Sequence, residues 1–548
     1  MKLGFITANR AVSLVSIIVA LGLLAFPLVG LSKAVVTDDF RKFEKSTLVT
    51  PADFIEHAAS EEVDIHDLYF ELRPYEGTKT CLMCHEEDGT QMLDSGHFKW
   101  RGKVKNIVGL EGEQYGKQDL INNLCIATPS NEGRCTQCHT GYGWADASFD
   151  FNDPENVDCL SCHDQTGTYK KAPKTAGMPV NSDEELTAIA ASIRIGSKPT
   201  RKACLMCHAN AGGGDNVKHG DLSSDLIATT REYDVHMGTD GVNMTCVACH
   251  GANHDPKTGD VNHGISGMPL HSVYEGEIKQ CADCHGSVES IHTGTNAEEW
   301  LVAETWHERL ACQVCHIPAV ARKIATKTEW YWEDAGDENR VPVLDPVTGR
   351  YDYNMLKGSF VWQLNYRPEL RYFNGTWNRK VIGATDTYTA EPIDMGSPVG
   401  DYTDPKAMIY PFKLMIGNQV VDPNTRTILV PHLFGAAGGP NPYWGNWDWD
   451  AAIVDAAAIT GQDYSGTYKW GDTTLLYTVN HEIAPAEEAL GAGIMPEACM
   501  DCHQSGTVDF VALGWTADPL DGGVRDTTVV PVENSSSLLS AQDSPVLR

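Results

Sequence analysis

The hydrophobic and polar positions along the chain predict short elements separated by many turns. Capping boxes, in which Thr or Ser precedes an acidic residue by three positions, mark helix starts after Thr50 and after Ser182, the second helix covering Asp183–Ile193. Apolar periodicity predicts three further elements, a helix over Ala297–Leu310 and weak strands over Ser359–Leu364 and Thr467–Thr478. We therefore expect a loop-rich chain.

The N-terminus has the features of an export signal. A basic start without acidic residues precedes the apolar run Ala11–Leu31, and Ser32-Lys33-Ala34 resembles a small-x-small cleavage site. Residues 1–34 are predicted to be a secretory signal peptide, so we expect a periplasmic protein. The alternative is an uncleaved N-terminal anchor, since about 20 apolar residues can span a bilayer.

The composition indicates a chain that cannot build a large core by itself. Of its 548 residues 42% are hydrophobic, while 50 are Gly and 27 are Pro. Large apolar cofactors would supply the missing core. The formal charge is −32 and becomes −35 once cleavage removes three basic residues, which excludes nucleic-acid binding because that needs a basic surface. An anionic substrate would need a local basic pocket.

The cysteines follow one spacing throughout the chain. Sixteen of the seventeen lie in eight copies of Cys-x-x-Cys-His, in which two thiols form thioethers with the vinyl groups of one haem and the histidine ligates its iron. Eightfold repetition excludes a zinc ribbon, a single redox dithiol and a disulfide framework. The sequence predicts eight covalently attached haem c groups, at Cys81/Cys84/His85, Cys135/Cys138/His139, Cys159/Cys162/His163, Cys204/Cys207/His208, Cys246/Cys249/His250, Cys281/Cys284/His285, Cys312/Cys315/His316 and Cys499/Cys502/His503.

Twelve histidines remain outside these motifs, enough to give every haem iron a second axial histidine. An iron with two histidines only passes electrons, whereas an iron with a missing or labile ligand can bind substrate. The candidate distal ligands, in order of preference, are His292 and His307, then His97, His219, His236, His263 and His481, then the reserves His254, His271 and His432, and last His57 and His66, which precede every motif.

The motifs are distributed unevenly. Seven lie within residues 81–316, and the eighth begins at Cys499, 187 residues after the start of the seventh. The predicted organisation is a signal peptide or anchor over 1–34, a seven-haem core over 35–316, a haem-free insertion packed on that core over 317–498, and the eighth motif with a polar tail over 499–548. The predicted fold class is mainly α with extensive irregular loops, organised around eight haems, with an aromatic-rich, partly β insertion before the last haem.

Several local sequences resemble those of one group of octahaem cytochromes. They are CTQCHTGYGW at 135–144, DCLSCHD at 158–164, TGTYKK at 166–171, ACQVCHIP at 311–318 and TKTEW at 326–330. Together with eight motifs and a long gap before the last, they are similar to the octahaem tetrathionate reductase family over about residues 75–515. The resemblance implies seven bis-histidine haems and one active-site haem that takes a lysine nitrogen as a ligand.

The same resemblance implies a site and a reaction. The lysine should be Lys170 or Lys171, which spacing does not separate, and Lys170 is our first choice. The implied reaction is two-electron reduction of tetrathionate to thiosulfate, with nitrite and hydroxylamine as further substrates and a quinol-linked donor cytochrome as redox partner. Cys125 is either a small buried hydrophobe or a thiol near that haem that serves sulfur chemistry. The basic candidates for docking an anion are Lys170, Lys171, Lys174, Arg322, Lys323 and Lys327.

Other functions stay open at this point. The spare histidines permit bis-histidine ligation at every haem, which would make the protein a non-catalytic electron-transfer conduit. A hydroxylamine-oxidising octahaem enzyme would need a tyrosine crosslinked to its catalytic haem, and no tyrosine here has a context that identifies it. An octahaem nitrite reductase would carry a Cys-x-x-Cys-Lys motif, which this sequence lacks.

Overall fold

The computed structural model describes residues 48–254, 261–266, 278–298, 307, 309–435, 441–503 and 508–525. The predicted signal peptide, His271 and most of the predicted helix Ala297–Leu310 lie outside these residues, as does the side chain of His254. None of the helices in these ranges has the length and apolarity required to cross a bilayer. The chain divides into two compact units, one of Met1–Glu76 with Asp183–Gly196 and one of Gly77–Ser182 with Ser197–Arg548.

Most of the helices are short. In chain order they are α1 Pro51–Glu61, α2 Ile65–Leu72, α3 Thr78–Leu93, α4 Gly96–Lys99, α5 Glu132–Cys135, α6 Leu160–His163, α7 Asp183–Ala191, α8 Arg201–His208, α9 Ala282–His285, α10 Val288–His292, α11 Cys312–His316, α12 Tyr443–Asn446, α13 Trp449–Thr460 and α14 Glu497–Met500. Helices α3, α5, α6, α8, α9, α11 and α14 each carry part or all of a Cys-x-x-Cys-His motif. These seven helices therefore position the thiols and histidines of the haem motifs.

The smaller unit contains α1, α2 and α7 and has its own apolar core, in which Phe54 and Leu68 are buried. Helix α1 begins as predicted, because the Thr50 side chain accepts a hydrogen bond from the Asp53 backbone and the Asp53 carboxylate accepts one from the Thr50 backbone. Helix α7 is also present where predicted and ends at Ala191. This unit contains no haem motif.

The larger unit contains an extensive β-sheet, and the expected mainly α fold is not confirmed. The strands are β1 Gly102–Lys103, β2 Gln114–Tyr115, β3 Ala252–His254, β4 Val261–Ile265, β5 Thr326–Tyr331, β6 Leu344–Asp345, β7 Arg350–Tyr351, β8 Tyr353–Asn354, β9 Gly358–Gln363, β10 Glu369–Phe373, β11 Trp377–Arg379, β12 Ile393–Pro398, β13 Met408–Asp422, β14 Thr427–Ile428 and β15 Lys469–Thr478. Nine of them form one sheet in the order β11-β12-β15-β13-β5-β9-β8, with β10 and β14 also paired to β13. The two predicted strands are confirmed as β9 and β15.

The sheet is built around β13, which spans fifteen residues. It pairs antiparallel with β15 from Phe412–Thr478 to Val421–Lys469 and parallel with β5. Aromatic side chains form much of the associated core, including a Trp330–Trp332 stack with ring centroids 5.0 Å apart. Burial of such large rings gives this haem-free part of the unit a core of its own.

Candidate haem-binding and active site

The motif cysteines are available for thioether formation. All seventeen cysteines of the chain are free thiols, so no pair is consumed in a disulfide. Local helical turns bring the two thiols and the histidine of a motif to the same side, as in α11, which covers Cys312–His316. The chain therefore presents the donor set that covalent haem attachment requires.

Four predicted distal histidines face a motif histidine. Metal–imidazole bonds of about 2 Å place two axial imidazole rings roughly 6 Å apart, centroid to centroid. The observed separations are 6.1 Å for His97–His208, 5.8 Å for His236–His285, 6.2 Å for His250–His481 and 6.4 Å for His292–His316. Each pair fits bis-histidine ligation of one iron, at motifs four, six, five and seven respectively.

The other predicted distal histidines have a variety of neighbours. His263 is close enough to His85 of the first motif to interact with it electrostatically. His219 is buried, and its ring lies 5.8 Å from that of Tyr477. His432 donates from Nε2 to the Phe434 carbonyl, 2.8 Å away, and so is committed to the backbone. His57 and His66 lie in helices α1 and α2 of the smaller unit, where Nδ1 of His66 is 3.3 Å from Asp64 Oδ1.

Contacts between motif thiols show which haem sites are neighbours. Thiols interact directly between motifs one and three, two and four, four and five, and six and seven, through the pairs Cys81–Cys159, Cys138–Cys207, Cys204–Cys246 and Cys281–Cys312. Electrostatic contacts between thiols join motifs three and four, five and six, and seven and eight, through the pairs Cys162–Cys204, Cys249–Cys284 and Cys315–Cys502. The motifs thus form a continuous series in which the second branches from the fourth.

The second motif differs because its histidine is turned into an aromatic cage. Nε2 of His139 donates to the Phe98 carbonyl at 2.5 Å, and burial lowers the His139 pKa to about 3. The ring lies 4.8 Å from that of Trp144 and 5.5 Å from that of Trp100, centroid to centroid. Gly141 makes room for it, since a Cβ there would lie 2.5 Å from Cε1 of His139. His139 is therefore not presented to an iron through Nε2.

A buried lysine lies beside the second motif. The Lys171 side chain is 2% exposed, and its Nζ is 2.6 Å from Asp158 Oδ2 and donates to the backbone carbonyls of His139 at 2.7 Å and Gly141 at 3.1 Å. Lys170 is exposed, and its backbone N–H donates to Asn181. Lys171 thus points inward, whereas Lys170, the first choice made from the sequence, points to solvent.

Five basic side chains, Lys117, Lys218, Lys327, Lys357 and Arg379, form what we call the cationic cluster, and Cys125 lies among them. Its two halves share that thiol, because Cys125 interacts electrostatically with Lys218 in one half and with Lys327 and Lys357 in the other. Lys218 and Lys117 also interact with Cys138 of the second motif. The cluster therefore reaches the haem site at which Lys171 lies.

Burial disfavours the charged form of several side chains in this cluster. Burial, with Lys117 and Arg379 nearby, lowers the Lys218 pKa to about 7. Burial lowers the Lys327 pKa well below its ordinary value, and Nζ of Lys327 contacts the rings of Trp330 and Phe360 at 3.5 and 3.2 Å from their centroids. Arg379 is 6% exposed, and its Nε and Nη2 have no hydrogen-bond partner within the described ranges. A bound anion would complete the Arg379 guanidinium.

The sheet positions Cys125. The Asn123 side chain donates to the Met415 carbonyl at 2.9 Å, and the Gln419 side chain donates to the Asn122 carbonyl at 2.7 Å. Met415 and Gln419 both belong to β13, so the loop that carries Cys125 is attached to the centre of the sheet. The thiol is partly buried, and Lys218, Lys327 and Lys357 are close enough to interact with it electrostatically.

Comparison with solved structures decides the family. The chain is similar to the octahaem cytochrome c of Shewanella oneidensis, at 34% identity and a TM-score of 0.69, over 83% of this chain and 98% of that one. This chain belongs to the octahaem tetrathionate reductase family. Residues 327–506 also match the bacterial cytochrome c family, and an uncharacterised protein of Archaeoglobus fulgidus is 27% identical over 236 residues, 34% of this chain and 77% of that protein.

Membership of the octahaem family makes this chain an octahaem c-type cytochrome with covalently bound haem c. The free thiols and the facing histidine pairs fit that cofactor. Of the basic residues that the sequence suggested for anion docking, Lys327 belongs to the cationic cluster. Arg322 and Lys323 instead pair with Glu488 and Asp225, each at 2.6 Å, and Lys174 is exposed.

Sequence reasoning missed four members of the cationic cluster, Lys117, Lys218, Lys357 and Arg379. For Lys218 a signal exists, because it adjoins His219, a predicted axial ligand, and a residue beside an iron ligand lies near the haem. The other three come from loops or strand ends, and only the tertiary fold brings them into the cluster.

Proposed function

We propose that this octahaem cytochrome is an exported, periplasmic reductase that takes a small sulfur oxyanion, with tetrathionate as the first candidate, and reduces it by two electrons to two thiosulfates. The observation that carries the proposal is the cationic cluster beside the second motif. In a chain with a net charge of −32, three lysines, Lys218, Lys327 and Lys357, interact electrostatically with the single thiol of Cys125, and Lys117 and Arg379 lie near Lys218. They suit a dianionic substrate.

The side chains of the cluster would bind and orient the substrate. Haem c attached at the motifs supplies and relays the electrons. Lys218 and Arg379 lie in the half of the cluster that reaches the second motif, while Lys327 and Lys357 lie in the other half, so two sulfonate ends can be held at once. When the central S–S bond of S₄O₆²⁻ accepts two electrons, the negative charge grows from two to four across the products. Fixed cations stabilise that growth more than they stabilise the ground state.

Lys171 and Cys125 would have different tasks. Lys171 lies where His139 is withdrawn, so its amine is the candidate nitrogen ligand at the second motif. To bind iron it would have to lose a proton and give up one of its three contacts, which are with Asp158 and the carbonyls of His139 and Gly141. Cys125 is the thiol that meets both halves of the cluster, and it would contact the central sulfurs of a substrate that spans them.

A second candidate is reduction of nitrite or hydroxylamine at the same site. The observation that favours it is Lys218, because an amine with a pKa of about 7 can hold or release a proton at neutral pH. Reduction of nitrogen oxyanions consumes protons, whereas cleavage of tetrathionate does not. The third candidate, an electron-transfer conduit without catalysis, gains no support from the second motif, where no facing histidine pair is found among the described residues.

The test is turnover of the purified, fully haem-loaded protein with tetrathionate, nitrite and hydroxylamine under the same viologen-driven conditions. We expect the highest kcat/KM with tetrathionate, together with one haem in the ferric electron paramagnetic resonance (EPR) spectrum that is not bis-histidine. Failure to turn over any of the three, combined with eight bis-histidine signals, would establish the conduit instead. For the reductase, the proposed electron donor in the cell is a quinol-linked cytochrome.

A further inference from the structure

A buried carboxylate backs one of the facing histidines. The Asp221 side chain is 2% exposed, and its Oδ2 is 3.2 Å from Nδ1 of His481. The same oxygen accepts hydrogen bonds from the backbone N–H groups of Asn480 at 2.6 Å and His481 at 2.9 Å. These contacts fix the orientation of the His481 ring, which faces His250 of the fifth motif.

The two histidines of this pair have unlike supports. Nδ1 of His250 lies 2.8 Å from the backbone carbonyl of Ser266, a neutral acceptor. Nδ1 of His481 is supported by a full negative charge. A hydrogen bond to a carboxylate makes an imidazole more basic and therefore a stronger donor to an oxidised metal. Ferric iron is favoured over ferrous iron as a result.

Other motif or distal histidines provide an internal comparison. Nδ1 of His292 lies 2.7 Å from a carbonyl, that of Val288. His503 and His85 do contact carboxylates, at 2.7 Å from Asp518 and 2.8 Å from Asp88. Those carboxylates are 12% and 46% exposed. Solvent screens them more than it screens Asp221, because the effective dielectric falls with burial.

We propose that Asp221 is a positioning residue that acts through His481 to lower the reduction potential of the haem at the fifth motif. We expect a stronger effect there than at the first and eighth motifs, because Asp221 is more buried than Asp88 and Asp518, which contact the motif histidines His85 and His503. The proposal requires haem c at the fifth motif, which family membership supplies, and it does not require tetrathionate to be the substrate.

The place of the fifth motif in the series gives the proposal a consequence. Thiol contacts join it to the fourth motif on one side and to the sixth on the other. Each electron that passes oxidises one haem and reduces the next by one equivalent. A low-potential haem at this position opposes return of electrons from the fourth motif, so that, under the proposed function, two electrons are retained on the side of the cationic cluster.

The test is a spectroelectrochemical titration of Asp221→Asn, with Asp518→Asn as the matched control. Asparagine keeps a carbonyl oxygen for the two backbone donors and removes the charge. We expect one of the eight midpoint potentials to move upward in Asp221→Asn while the other seven stay in place. In Asp518→Asn the shift should be smaller and should fall on a different haem, that of the eighth motif.

A ligand variant shows whether the effect runs through His481. His481→Met replaces the ligand and identifies the fifth-motif haem by its altered EPR signal, and Asp221→Asn should add no further shift in that background. A shift that persists there, or unchanged potentials in Asp221→Asn, would overturn the proposal. If Asp221→Asn does not fold, near-infrared magnetic circular dichroism of the unmodified ferric protein decides: one bis-histidine charge-transfer band should lie at higher energy than the others, and a uniform set of bands would contradict the proposal.

Discussion

Replacement of Lys171 by methionine tests the centre of the proposed site. The Lys171 Nζ and the Asp158 carboxylate form an ion pair at 2.6 Å with both side chains almost fully buried, at 2% and 0% exposure. Removing one partner of such a pair typically costs about 3–5 kcal/mol, because it leaves a buried charge uncompensated. The Tyr169 hydroxyl, which donates to the same carboxylate oxygen at 2.5 Å, offsets part of that cost. We expect Lys171→Met to lose most of its turnover and to unfold at a clearly lower denaturant concentration.

The matched control is Lys170→Met, because Lys170 is the adjacent residue of the same type and is exposed. A surface substitution away from special features changes stability by about 0.5 kcal/mol or less, so this variant should keep both its stability and its turnover. Denaturant unfolding followed by haem absorbance gives the stability, and viologen-driven reduction of tetrathionate gives the turnover.

A double variant separates a structural role from a role in the reaction. Replacing both members of a buried polar pair can be nearly neutral, so Lys171→Met with Asp158→Asn should recover much of the lost stability. If Lys171 is the nitrogen ligand beside the second motif, turnover stays low in the double variant and the EPR signal of that haem changes. Recovery of turnover together with stability would refute the assignment, as would an active Lys171→Met single variant.

Three further predictions concern the surroundings of the same site. Lys327→Met should raise KM for tetrathionate about tenfold, the equivalent of about 1.4 kcal/mol, with little effect on KM for uncharged hydroxylamine. The control Lys323→Met should change neither KM. Steady-state kinetics with both substrates distinguish these outcomes, and equal KM changes for the two substrates would argue against anion binding. Cys125→Ser should lower kcat for tetrathionate more than kcat for hydroxylamine, and an equal loss in both assays would leave the thiol without a special role in sulfur chemistry. Gly141→Ala should destabilise the protein by about 1–3 kcal/mol, because its Cβ would meet the His139 ring at 2.5 Å; denaturant unfolding measures this, and an unchanged midpoint would show that the His139 cage is easily rearranged.

The sequence was sufficient where chemistry depends on near neighbours. Thioether attachment needs two thiols and a histidine within five residues, so the haem sites could be placed without a fold. The capped start of α1 was equally local, since Thr50 and Asp53 satisfy each other's backbone. The family could be identified from short strings around the motifs for the same reason.

The sequence was insufficient where distant segments meet. His250 and His481 come together only because the chain after β15 returns to the fifth motif, and no spacing rule predicts that return. The extent of the sheet was also underestimated, because the haem motifs suggested helices and the aromatic residues between them suggested packing against haem edges. In the structure those aromatics, such as Trp330 and Trp332, instead fill a core associated with a nine-stranded sheet.

Burial explains the remaining differences. Lysine is ordinarily a surface residue, so the sequence could not distinguish the buried Lys327 from the exposed Lys174, and both were candidates for anion docking. The inward direction of Lys171 relative to Lys170 is likewise set by its partners, Asp158 and two carbonyl groups, rather than by the local sequence.

Haem attachment and the sheet-borne residues of the cationic cluster lie in separate parts of the sequence. Cofactor spacing is encoded in 81–316 and at 499–503, whereas Lys327, Lys357 and Arg379 come from 326–379, a stretch that anchors no haem. Under the proposed function, substitutions in that stretch would change which anion is accepted and leave the haem motifs intact. Relatives with the same wiring and different substrates are the natural outcome of such an arrangement, and the strand ends around β5 and β11 are the places to engineer one.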